Sequence, residues 1–112
     1  GPYSQAVLVN GLLYISGQIA INPKTQELIK GSIESETTQV MENIGSILKE
    51  ASTDFSKVIK SSIFIKNMND FTKVNQVYGK YFNENSPARE TIEVSKLPKN
   101  SNIEISCIAS VH

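Results

Sequence analysis

The sequence predicts a single α+β domain over residues 1–112, a mixed sheet of about six strands with two helices packed on one face. Three observations predict it. The 112 residues are 39% hydrophobic, enough for one core and too few for two. Two segments repeat their apolar residues at helical spacing, while the segments around them alternate or run apolar over strand lengths. These segments follow one another as strand, strand, helix, strand, helix, strand, strand, with no linker or low-complexity stretch between them.

Asn10-Gly11 is a strong turn signal, so residues 5–9 and 12–21 read as a hairpin. The second of these strands is mostly apolar, as expected of a strand covered on both faces. Residues 22–25, Asn-Pro-Lys-Thr, make a turn, and residues 27–31 form a short edge strand or an irregular link. From residue 34 to 51, Val40, Met41, Ile44, Ile47, Leu48 and Ala51 close one face of an amphipathic helix. Residues 54–56 turn the chain, and residues 58–66 set Ile59, Ser61, Ile63 and Ile65 against Val58, Lys60, Ser62 and Phe64, which is strand periodicity. Asn69-Asp70 starts a second helix with the stripe Phe71, Val74, Val77, Tyr78, Tyr81 and Phe82. Its aromatic residues read as core. Residues 83–87 end that helix at a proline, and residues 89–94 and 102–111 are the last two strands, joined by a loop that lets them lie side by side. Two helices leave the far sheet face uncovered, and apolar surface there favours self-association.

Composition narrows the chemistry. Lys plus Arg, 11, balances Asp plus Glu, 11, so no long-range field gathers a polyanion such as RNA or an acidic membrane. No apolar run approaches the roughly 20 residues that cross a bilayer, and no charged-then-apolar leader precedes Gly1. The expectation is a soluble cytoplasmic protein, or an organellar one if a transit segment is removed. The one cysteine, Cys107, lies in an apolar run and reads as a buried structural thiol rather than a nucleophile. The one histidine, His112, ends the chain. A Cys/His zinc cluster, a Ser-His-Asp triad within one chain and a two-histidine nuclease site are thereby excluded. Carboxylates, hydroxyls, amides and cations must carry any chemistry, and no metal or organic cofactor is called for.

Among eleven cations only Arg89 is an arginine. A lone guanidinium marks either a place needing its bidentate fork or a salt bridge to Glu93 or Glu104. Glu104 starts the last strand, so an acid beside this cation suggests a buried pair or a site in which the cation holds an anion and the acid handles a proton. Ser16-Gly17 interrupts an apolar strand, as a bulge or as a place of close ligand approach.

In order and spacing, the segments GPYSQA, ISGQIAINPKT, FIKNMNDFTKVNQVY, PARETIEVSKLPK and IEISCIA resemble the RidA (YjgF-like) family of reactive-imine deaminases over nearly the whole chain. The resemblance implies a chorismate-mutase-like fold, a homotrimer with sites between subunits, and hydrolysis of 2-imino or 2-enamino acids to 2-keto acids and ammonia. It implies that Arg89 grips the substrate carboxylate and Glu104 activates water. Tyr3 and Ser16 line the pocket with hydrogen-bonding groups, and Gly17 shapes the backbone there. Thr91 stands where many members have cysteine, beside the site arginine. The family generally extends a few residues before the GPY segment, so its first strand is expected to begin upstream. Endoribonuclease or translation-inhibitor activity, and a non-catalytic trimer binding metabolites or acting as a chaperone, are the alternative readings.

Overall fold

A computed structural model describes residues 2–111; Gly1 of the GPYSQA segment and His112, read above as the chain's final residue, lie outside the described residues. Strands β1 (Ala6–Val9) and β2 (Leu12–Gln18) form the expected hairpin, with Val9 opposite Leu12. Asn10 and Gly11 in the loop have φ of 50° and 77°, the left-handed backbone that a two-residue hairpin loop needs and that these residues tolerate best. β2 ends earlier than the apolar run suggests. Asn22 Oδ1 accepts the amides of Lys24 at 2.8 Å and Thr25 at 3.4 Å, and the turn closes with Gln26 N donating to Asn22 O. This local closure leaves one bridge, Ile21 to Leu28, where a sixth strand was expected, and among the described residues the sheet has five strands.

Helix α1 (Ile33–Glu50) begins at Ser32, whose hydroxyl accepts the Ser35 amide at 3.0 Å. It buries Val40, Met41, Ile44 and Leu48. Strand β3 (Val58–Ile65) contains a bulge between Val58 and Lys60, so Val58 faces the core and Ile59 is exposed, contrary to the simple alternation read from the sequence. Helix α2 (Phe71–Gly79) follows a single 3₁₀ turn, Met68–Asp70. Asn67 caps that turn by accepting the Asn69 amide at 2.9 Å, so the helical segment starts before the expected Asn69-Asp70. Strands β4 (Ala88–Glu93) and β5 (Ile103–Ser110) complete the fold.

The strand order is β1-β2-β5-β3-β4, with β3 and β4 parallel and the other pairs antiparallel. The expected adjacency of β4 and β5 is therefore overturned, because β3 lies between them. Burial explains the order. Ile103, Ile105, Cys107 and Ala109 are all but inaccessible, which suits β5 to an inner position, whereas β4 carries Arg89, Glu90 and Glu93 and stays at an edge. Both helices cover the face bearing Leu13, Ile15, Ile63, Ile65, Ile105 and Ala109, which form one core cluster. Burying an isoleucine of this kind contributes on the order of 2 kcal/mol.

Among the described residues the opposite face has no covering layer. Alternation from the core positions places Val7, Val9, Tyr14 and Ile92 there, 45–49% exposed. β2 is thus covered on one face, not two, and its residues alternate between the helices and this open surface.

Candidate functional site

Glu104 is set by the registration of β5 on its neighbours. It lies opposite Phe64 of β3 on the open sheet face, and on its other side β2 is bulged between Ile15 and Gln18. The bulge contains Ser16 and Gly17. A Cβ at Gly17 would lie only 2.6 Å from the Glu104 carboxyl carbon, so the missing side chain is what allows the acid to rest against the β2 backbone. The bulge reading of Ser16-Gly17 holds, and the group that approaches Gly17 closely is the protein's own Glu104 carboxylate. Partial burial pushes the Glu104 carboxyl above the usual glutamate range.

Ser16 ties down the N-terminal strap. Its hydroxyl donates to the Ser4 carbonyl at 2.6 Å and its amide donates to Gln5 O at 2.9 Å. Gln18 Nε2 adds a bond to Gln5 Oε1 at 2.9 Å. The strap carries Tyr3, whose side chain is 66% exposed and borders a cleft of about 470 Å³ together with Gln5, Gly17, Gln18, Pro98 and Lys99. Tyr3, Ser16, Gly17 and Glu104 are therefore gathered into one region.

Arg89 is elsewhere. It pairs with the core-facing Ser61 on β3, so its side chain leaves edge strand β4 on the helix side of the sheet, opposite to Glu104. Neither expected ion pair forms. Instead Arg89 Nη1 donates to Asn75 Oδ1 at 2.6 Å, and its Cζ lies 5.6 Å from the Phe71 ring centroid and 5.2 Å from that of Tyr78. The one ion pair among the described residues joins Lys60 to Glu90 at 2.9 Å. Thr91, two residues along β4, has a buried hydroxyl without a hydrogen-bond partner among the described residues.

Glu104 and Arg89 thus leave the sheet on opposite faces, separated by β3, and the cleft beside Tyr3 and Gly17 is lined also by Asn43, Ser46 and Ile47 of α1. Asn75, Phe71 and Tyr78 escaped the sequence reading because the last two were assigned wholly to the core. The signal was present in a polar residue at the i+4 position between two aromatics at i and i+7. Cys107 is buried as expected. Burial pushes its thiol up to about 11, and Ser61 Oγ lies 3.5 Å from its sulfur.

Comparison with known proteins adds four observations. A family model described as Endoribonuclease L-PSP matches residues 1–111. The human protein named 2-iminobutanoate/2-iminopropanoate deaminase is 47% identical over 109 residues, 97% of this chain and 80% of that protein. Among solved structures, a Yersinia pestis protein of the conserved Rid family, described as of unknown function, matches with a TM-score of 0.97 at 50% identity, covering 99% of this chain and 89% of that one. Escherichia coli TdcF, solved with bound serine, matches with a TM-score of 0.94 at 33% identity, covering 100% of this chain and 90% of that one.

Proposed function

Because this chain belongs to the RidA (YjgF-like) family, whose model is described as Endoribonuclease L-PSP, we propose that it hydrolyses reactive 2-imino and 2-enamino acids such as 2-iminopropionate to 2-keto acids and ammonia. The human relative carries a deaminase name for this chemistry, and the serine in TdcF is a small 2-amino carboxylate of the same size class. The carrying observation is that Arg89 and Glu104 leave opposite faces of the sheet, the face of Glu104 being uncovered among the described residues and partly apolar. A closed ring of copies, a homotrimer in this reading, buries that face and brings Arg89 of one subunit to Glu104 of the next.

In the completed site, Arg89 meets the substrate carboxylate with the part of its fork not used by Asn75. Glu104, a base strengthened by its partly desolvated position, takes a proton from water as the water oxygen bonds to the imine carbon. That proton passes to nitrogen to give a carbinolamine, whose hydroxyl proton then moves to the amino nitrogen as the C–N bond breaks and the C=O forms, so ammonia leaves the new keto acid. Tyr3, Gly17 and Thr91 shape the pocket, and Ser16 acts by holding the strap. The reaction needs neither metal nor organic cofactor, since an imine beside a carboxylate already reacts with water and orientation alone can lower the barrier by about 7 kcal/mol or more. The unpaired buried thiol suits a reducing, cytoplasmic setting.

The test is a coupled assay following an enzymatically generated imine with and without the protein. The parent is expected to speed its disappearance, and Arg89→Lys to cut kcat/KM roughly 10- to 100-fold, because Lys keeps the charge and loses the fork. Equal turnover by the two would contradict the assignment. The family description also names a ribonuclease. RNA cleavage that survives purification and vanishes in Glu104→Gln would favour that reading, against the neutral charge of the chain.

A further inference from the structure

We propose that Asn75 on α2 is a positioning residue that sets the Arg89 guanidinium for its anionic ligand, with the Phe71 and Tyr78 rings completing the cradle. The proposal deepens the reading above and rests on it. Arg89 is exposed on an edge strand, where a long side chain ordinarily samples many rotamers. Here its head is held from three directions by residues at i, i+4 and i+7 of one helix, through a 2.6 Å hydrogen bond and two ring faces at 5.2 and 5.6 Å. The Asn75 amide oxygen makes no other hydrogen bond among the described residues.

The chemistry of this partner is specific. A neutral amide occupies one N–H of the fork without cancelling its charge, so the remaining donors stay available to a carboxylate. An aspartate of the same shape would orient the guanidinium equally well and neutralise it. The structure therefore separates orientation from charge, and Asn is the residue type that supplies the first while sparing the second.

The experiment measures imine-hydrolysis kinetics together with calorimetric binding of pyruvate for the parent, Asn75→Ala and Asn75→Asp, with oligomeric state and circular dichroism as checks of folding. Asn75→Ala is expected to raise KM and the pyruvate Kd up to about tenfold, the cost of fixing a freed side chain on binding, with kcat within about twofold. Asn75→Asp should weaken pyruvate further and recover as pH falls through the carboxylate range, when the new acid is protonated; a merely structural role would give no such recovery. Unchanged KM and Kd in both folded variants overturn the proposal, as does a loss confined to kcat. A parent that binds pyruvate but hydrolyses no imine refutes the reaction, and weakening by Asn75→Asp then still supports the cradle. A parent that binds no pyruvate overturns both.

Discussion

Gly17 and Glu104 show how a single absent side chain can set a reactive group. Gly17→Ala puts a Cβ where the Glu104 carboxyl now lies, and the movable end of that side chain is what must yield. The fold should therefore be nearly indifferent, changing in stability by about 1 kcal/mol or less, while the acid swings away from its desolvated place. Activity is expected to fall about 10²-fold, the scale of lost general-base help. A pH profile checks the cause. The parent needs Glu104 ionised, and burial raises its pKa, so the parent's rate should decline on acidification through a value above the ordinary glutamate range. In Gly17→Ala that limb should move to lower pH as the carboxyl enters water; an unmoved limb would detach Glu104 from it. The sequence singled out both residues, but not that they touch, because contact depended on where the bulge in β2 meets β5.

At the scale of elements, the position of Glu104 depends on how the start of β5 is anchored. Glu36 on α1 is 2% exposed, and its carboxylate accepts the Asn102 side-chain amide at 2.7 Å and the Asn102 backbone amide at 3.4 Å. Asn102→Ala leaves much of that buried acid unmatched. Chemical denaturation should show a loss of about 2 kcal/mol, with the amide protons near Ile103 and Glu104 exchanging faster than in the parent. A loss below about 0.5 kcal/mol would show that the link is not needed. Helix and strand positions were legible because Val40, Met41, Ile44 and Leu48 on α1, and Ile103, Ile105, Cys107 and Ala109 on β5, have spacings that admit one periodicity each. The bulge at Ile59, the turn at Asn22 and the cap at Asn67 were less so, since each turns on a hydrogen bond that periodicity does not encode. Strand order was the largest miss. Adjacency in sequence favoured pairing β4 with β5, whereas burial sends the more apolar β5 inward between β2 and β3.

For the whole molecule, the residue types of the site were legible and their arrangement was not. Arg89 stood out as the one guanidinium and Glu104 as an acid within an apolar strand, yet no local pattern tells which sheet face each will leave from. The fold sends them to opposite faces, with Val7, Val9, Tyr14 and Ile92 exposed on the face that Glu104 leaves from. A shared site between copies reconciles these features, and it makes a demand that no single-chain site makes. Arg89→Ala and Glu104→Gln should each be inactive alone, and subunits of the two, dissociated and reassembled together in equal amounts, should regain about a quarter of parental imine hydrolysis, the fraction of interfaces in a mixed ring that join an intact Arg89 to an intact Glu104. If the mixed assemblies form and remain as inactive as either variant, the two residues do not meet across subunits and the account is wrong.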